Sequence, residues 1–278
     1  MTPPVALTIA GSDSGGGAGI QADLKVFAAL GLFGTSVLTA VTAQNTREVR
    51  DVLPLPARIV TGQIEAVLAD LPVAAVKTGM LGTEAVADAV AAQARAGLLP
   101  NLVVDPVLVS TSGHRLSVVA AVERLLPYAL VVTPNREEAG AIVGRPVDTP
   151  DEMARAAAEI AAGGPAYVVV TGGDADRDAP GPGDPTAAGG GRHGAEAVDA
   201  FWTGSGVTLL RGPRVATGNT HGTGCSFSAA IAARVALGDE VPAAVRFAKE
   251  YVARALAGSR EWVLGGGHGP LDHFHWSG

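Results

Sequence analysis

Short apolar runs alternate along this chain with longer stretches in which apolar positions recur every three or four residues. The first run, residues 5–10 (VALTIA), reads as a buried strand. A glycine-rich turn over residues 11–19 follows. Residues 20–30 then carry Ile20, Leu24, Phe27 and Leu30 at helical spacing, and Gly31 supplies a stop. Residues 35–43 and 49–53 read as strands joined by the polar stretch 44–47, a hairpin or small flap. Residues 56–69 predict a helix. Residues 74–77, 102–105, 130–133 and 167–171 are short apolar runs, each ending at a polar or Gly/Pro position, with helical patterns between most of them. Residues 197–203 and 207–211 resemble a hairpin around Gly204-Ser205-Gly206, and two helices, 221–237 and about 242–257, come last. This strand–helix alternation predicts a doubly wound, mostly parallel sheet. Residues 174–194 (DADRDAPGPGDPTAAGGGRHG) have no periodicity and are expected to form a flexible surface insertion in a single domain spanning 1–278. No internal repeat is present.

Composition narrows the function. Apolar residues are 47% of the 278 positions but aromatics only 4%, so aliphatic side chains must fill a sizeable core. The net charge is −7, with only three lysines, Lys25, Lys77 and Lys249, and no basic run. Nucleic acid is therefore not an expected partner. Cys225 is the only cysteine, which excludes an intramolecular disulfide and a cysteine cluster for zinc. The first residues lack the basic region of a signal peptide, and no stretch approaches the roughly 20 apolar residues of a membrane span. A cytoplasmic protein without a membrane partner is expected. If such an acidic protein handles phosphate, its positive potential must come from backbone N–H groups, helix ends and metal.

The segment Asn219-Thr220-His221-Gly222-Thr223-Gly224-Cys225-Ser226 precedes a long alanine-rich helical pattern. Glycines let backbone approach a ligand, and a helix start offers unpaired N–H groups and the positive end of the macrodipole. Gly222, Thr223 and Gly224 are thus candidates to hold a phosphoryl group. Cys225 in the first turn is expected to have a lowered pKa and to accept a proton from a substrate hydroxyl; the competing reading is a small buried cysteine at a helix start. Asn135-Arg136-Glu137-Glu138 follows a strand and opens a helix. Its Asn135 and Glu138 share one side of the first turn, which suits Mg²⁺ held through water or, equally, an ordinary capped helix. Asp105 ends a strand, where ligands gather in open α/β sheets, and could orient metal or phosphate. Thr171 and Gly173 end another strand and suit a nucleotide-facing loop. Gly17-Ala18-Gly19-Ile20-Gln21-Ala22 formally fits a dinucleotide fingerprint, but residues 40–44 lack the acidic partner it needs. No Gly-Lys dipeptide occurs, which removes a P-loop. His268, His273 and His275 leave a zinc site conceivable.

The segment from Asn219 to Cys225 resembles the C-terminal signature of the hydroxymethylpyrimidine/phosphomethylpyrimidine kinases of thiamin biosynthesis, in the ribokinase-like superfamily. The segments ALTIAGS (6–12), GGAGIQADLK (16–25), TAVTAQNT (39–46), KTGMLG (77–82), VDPV (104–107), TPN (133–135) and GHGPLDHFH (267–275) resemble family segments in the same order. The resemblance implies a ribokinase-like three-layer α/β/α sandwich with a small β flap. It also implies ATP-dependent phosphorylation of 4-amino-5-hydroxymethyl-2-methylpyrimidine and of its monophosphate, with pyridoxal or pyridoxine as the alternative acceptor. ATP and Mg²⁺ are the implied cofactors and a homodimer the implied assembly. Gly11, Asp23, Gln44 and Met80 would line the pyrimidine pocket. Gln44 can pair with a ring nitrogen and an exocyclic amine at once, and Met80, Ala18 and Val107 would give apolar contact to the ring. Asn135, Thr217 and Lys249 would lie near the nucleotide, although Lys249 read alone is a solvated helix residue. Departures are Asp13-Ser14-Gly15 for the family's Asp-Pro-Ser, Thr111 for a lysine, and Thr171-Gly172-Gly173 for Lys-Gly-Gly.

Overall fold

The computed structural model describes residues 2–108, 119–173 and 196–275. The central sheet contains strands β1 (Val5–Ala10), β2 (Phe33–Leu38), β5 (Val73–Thr78), β6 (Val103–Val104), β7 (Val131–Val132), β8 (Tyr167–Val170), β9 (Glu196–Trp202) and β10 (Val207–Pro213). Their order is β10-β9-β8-β7-β6-β5-β1-β2. Pairing is parallel from β2 across to β8, while β9 is antiparallel to β8 and β10 antiparallel to β9. β3 (Ala40–Gln44) and β4 (Val49–Pro54) form a separate antiparallel flap.

Alternation along each strand builds two cores. Leu7, Ile9, Val76, Val104, Val132, Val168 and Val170 face one side. They pack under α2 (Ala57–Asp70), α3 (Glu84–Arg95), α4 (Val119–Glu123), α5 (Arg136–Val143) and α6 (Pro150–Ala161). Ala6, Ala75, Val103, Val131 and Val169 face the other side, against α1 (Gly19–Ala29), α7 (Thr223–Ala236) and α8 (Val241–Gly258). Strand side chains point alternately to opposite faces, so consecutive valines serve different layers. The result is the expected three-layer sandwich, with small alanines of α7 such as Ala229, Ala230 and Ala232 letting that helix lie close on the sheet.

One predicted strand is in fact two. Residues 35–43 split at Thr39, which is fully buried. The Thr39 N–H donates to the Ala10 carbonyl (3.0 Å), its carbonyl accepts from Leu55 N–H (2.8 Å), and its hydroxyl donates to the Met80 carbonyl (2.6 Å). These long-range bonds pull the chain out of the main sheet and into the flap. The insertion at 174–194 and Thr111 lie outside the described residues.

The C-terminal segment folds back over the start of α7. His221 N–H donates to the Gly269 carbonyl (3.0 Å). Buried Asn219 donates from Nδ2 to the carbonyls of Ser259 (2.5 Å) and Trp262 (3.0 Å). Asn219→Ala removes both of these bonds from a buried side chain. It should lower stability by about 1–3 kcal/mol, read as a shifted urea midpoint with an unchanged slope.

Candidate active site

The carboxyl ends of the parallel strands open into one cavity of about 1360 Å³. β1 delivers Gly11 to it, β5 delivers Gly79 and Met80, β6 delivers Asp105, β7 delivers Thr133 and Asn135, and β8 delivers Thr171. Crevices outside strand carboxyl ends are where open α/β sheets bind ligands. Of the residues singled out from sequence, Gly11, Ala18, Gln44, Met80, Asp105, Val107, Asn135, Glu138, Thr171, Gly173, Thr217, Gly222, Thr223, Gly224, Cys225 and Lys249 all line it.

Asp23 does not. Its side chain is fully buried and faces Lys77 rather than the open cavity. Both its oxygens lie 3.0 Å from the ammonium of Lys77, and Oδ2 also accepts from the Thr8 hydroxyl (2.6 Å). Lys77 is equally buried, sits 3.5 Å from Asp105 Oδ2, and does line the cavity. Burial alone would drive this ammonium toward neutrality. The charge of Asp23 outweighs that, Cys225 and Asp105 add to it, and the lysine pKa is raised. Burial likewise raises the Asp23 carboxyl, against the pull of Lys77 and Thr8. Asp23 therefore anchors the cation that faces the site. The signal for Lys77 was present in the sequence: a charged residue near the end of an otherwise apolar strand, in a chain with three lysines.

Just after β1, Gly11 packs directly against the end of the Met80 side chain, which a Cβ there would push aside. Ser14 bonds both backbone groups of Gln44, donating to its carbonyl (2.6 Å) and accepting from its N–H (2.8 Å). This pins the flap strand β3 to the glycine-rich turn and aims the Gln44 amide into the cavity. Asp13 and His221, not anticipated as site residues, also line the cavity and meet at 2.8 Å. Burial would raise the Asp13 carboxyl. The hydrogen bond and charge of His221, with the amides of Ala18 and Gly15, outweigh burial and hold it below the usual carboxylate range.

At the phosphate end, α7 begins at Thr223, and Gly222 caps it with φ 90°, a left-handed conformation suited to glycine. Cys225 occupies the first turn, as expected. Its expected low pKa is not found. Burial pushes the thiol up to about 12, and Asp105 and Asp23 add to the rise, while Lys77 pulls it down. Desolvation and the two carboxylates together outweigh Lys77 and the backbone hydrogen bond with Gly19.

Beyond the carboxyl end of β7, Asn135 and Glu138 form a capping box. Asn135 Oδ1 accepts from Glu138 N–H (2.9 Å) and Glu138 Oε2 accepts from Asn135 N–H (2.9 Å). The capped helix is therefore present, and both residues also line the cavity. Lys249 is not a solvated helix lysine: its ammonium donates to Asp199 Oδ2 (2.6 Å), and Asp199 Oδ1 accepts from Gly172 N–H (3.0 Å). The three histidines raised for zinc make separate contacts. His273 Nε2 lies 2.9 Å from the Ser226 hydroxyl, His275 packs edge-on against Tyr251, and His268 lines the cavity. Among the described residues, no group of three or more His, Cys, Asp and Glu side chains could hold a metal by itself. The oxygens of Asp105 and Glu138 suit a hard cation that keeps its waters and takes its other ligands from phosphate.

Two measurements test this electrostatic picture. Lys77→Met leaves buried carboxylates without their cation and should cost about 3–5 kcal/mol by chemical denaturation. Adding Asp23→Asn should recover part of that loss in a double-mutant cycle. Because Cys225 is the only cysteine, alkylation reads it alone. At pH 8 iodoacetamide should modify it more than about tenfold more slowly than free cysteine, with the rate climbing toward pH 12 as the thiol ionises.

Comparison with known proteins agrees with this geometry. The family model for phosphomethylpyrimidine kinase matches residues 13–272. A hydroxymethylpyrimidine/phosphomethylpyrimidine kinase of Streptomyces coelicolor is 46% identical over 98% of this chain and 95% of its own. Among solved structures, phosphomethylpyrimidine kinase of Clostridium difficile superposes with a TM-score of 0.73 at 38% identity, covering 91% of this chain and 99% of that one. The pyridoxal kinase of Staphylococcus aureus in complex with AMP-PCP and pyridoxal superposes with a TM-score of 0.83 at 33% identity, covering 99% and 95%. The three-layer sandwich is thus the ribokinase-like one, and the chain belongs to the phosphomethylpyrimidine kinase family.

Proposed function

We propose that this chain transfers the γ-phosphoryl group of ATP to the hydroxymethyl oxygen of 4-amino-5-hydroxymethyl-2-methylpyrimidine, and then phosphorylates the monophosphate, in thiamin biosynthesis. The observation that carries this reading is the single cavity that joins Gln44 and Met80 at one end to Gly222–Cys225 at the other. The Gln44 amide pairs with the ring nitrogen and exocyclic amine, and Met80, Ala18 and Val107 cover the ring. The amides at the start of α7 hold the transferring phosphoryl group, where negative charge develops. Asp105 and Glu138 would hold Mg²⁺ through water, and the ion would neutralise phosphate charge and the Asp105 charge that raises the thiol. Asn135, Thr171, Gly173, Thr217 and Lys249 line the nucleotide end.

Cys225 is the proton acceptor in this reading, and its high pKa decides how it acts. A thiol near 12 is not a standing thiolate at neutral pH. Lys77 lowers it, and a cation held by Asp105 and Glu138 would lower it further, against the negative charge of the phosphates. The substrate proton then passes to Sγ as the new O–P bond forms. The second acceptor is an anionic phosphate that needs no base. Cys225→Ala should therefore cut the first transfer by about 10²–10⁴-fold and the second far less, with the two products followed separately by ³¹P spectroscopy. Equal loss in both steps would assign Cys225 to positioning.

Pyridoxal is the second reading, favoured by the TM-score of 0.83 to a pyridoxal kinase over nearly the whole chain. Product from pyridoxal alone would replace the pyrimidine assignment. The enzyme acts in the cytoplasm as one kinase domain per chain, without a nucleic-acid or membrane partner, and as a homodimer. Support for self-association comes from Val41 and Leu53, paired across the flap and 42% and 65% exposed. Leu53→Glu should shift the protein toward monomer in sedimentation velocity.

A further inference from the structure

We infer that Asp13 and His221 form a positioning pair that couples the two ends of the cavity, so that the pyrimidine and the nucleotide bind cooperatively. This rests on the reading that the cavity takes both ligands. The Asp13 carboxylate gathers the glycine-rich turn: Oδ1 accepts from Gly15 N–H (2.8 Å), and Oδ2 from Gly17 N–H (3.0 Å) and Ala18 N–H (2.8 Å). The same Oδ2 meets His221 Nε2 at 2.8 Å, across 208 residues of sequence. Both side chains are buried, at 3% and 8% exposure, so the bond is shielded from water. His221 is the residue before Gly222, the cap of the phosphate-binding helix.

The backbones of the two loops also touch without slack. A Cβ on Gly222 would strike the Gly17 carbonyl, and one on Gly17 would strike the His221 ring. The Gln44 amide nitrogen lies 3.4 Å from the same His221 Nε2. A ring held by Gln44 and Ala18 thus fixes the turn, the turn fixes Asp13, and Asp13 fixes the loop whose amides receive phosphate. Close-packed groups transmit such a restraint because they cannot deform by small amounts. Whichever ligand binds first orders what the second needs, and linkage makes the effect reciprocal.

The test is calorimetric titration of wild type, Asp13→Asn, His221→Leu and His221→Gln. Each is titrated with 4-amino-5-hydroxymethyl-2-methylpyrimidine, alone and with saturating AMP-PCP. Wild type should bind the pyrimidine about tenfold more tightly with AMP-PCP present, within the usual range of coupling. His221→Leu and Asp13→Asn should bring that ratio close to one while AMP-PCP alone still binds. His221→Gln keeps an N–H donor of similar reach and should retain most of the ratio, which a merely space-filling role would not produce. A wild-type ratio of one, or variants that keep the wild-type ratio, overturns the inference. So does a folded Gln variant with a ratio of one, which keeps the test standing even if the Leu variant does not fold. Wild type that binds neither ligand overturns the underlying reading instead, and the coupling with it.

Discussion

A lysine ammonium with no access to water must be given carboxylates, and the centre of this protein is arranged around that requirement. Lys77 ends near the tip of β5, between Asp23 on α1 and Asp105 after β6. Thr8 on β1 completes Asp23, and Ser228 on α7 donates to Asp105 Oδ2 (3.1 Å). Three neighbouring strands and two helices thus share one charge cluster, and it is the cluster that borders Cys225. Such a buried arrangement adds little net stability by itself, since desolvation offsets most of the Coulomb gain. Its value is geometric: it places a fixed positive charge beneath the site where phosphate chemistry would occur.

The same economy explains how an acidic chain handles anions. Position 171 is a threonine, and Lys249, which lines the cavity, is already paired with Asp199. Positive potential then comes from the amides opening α7, from Lys77 and from Arg211, Arg214, Arg246 and Arg254, which also line the cavity. Serines and the tail make the helix start rigid. The Ser226 hydroxyl donates to the Gly222 carbonyl (2.8 Å) and touches His273, whose ring burial lowers to a pKa of about 4 and keeps neutral. The C-terminal segment is therefore part of the site's support, although it lines the cavity only at His268.

Much of the fold was legible. The buried valine runs, the helix at Gly19–Ala29, the hairpin of β9 and β10 and the two final helices follow from periodicity and glycine punctuation, which are local properties. The strand break at Thr39 was not legible, because nothing in TSVLTAVTA marks it locally; its cause is hydrogen bonding to Ala10, Leu55 and Met80. In the site, the ordered motifs named residues that line the cavity from Gly11 to Lys249 but missed Asp13, Lys77 and His221, which also line it. The partner of Asp23 was not legible, for a physical reason. A carboxylate on a helix beside a binding turn looks the same in sequence whether it points at ligand or at a lysine 54 residues away.

The sequence by itself determined the alternation of strands and helices, the glycine-rich starts of α1 and α7, and the single cysteine at the start of α7, because backbone preference and periodicity act over a few residues. Only the tertiary structure decided which groups meet and in what charge state. The strand order sets β1 beside β5 and so puts Lys77 over Asp23. The packing of two glycine loops sets Asp13 against His221. Burial and two neighbouring carboxylates push the Cys225 thiol up to about 12. Solvation and Coulomb energies depend on what surrounds a group in space, and the chain order does not contain that information.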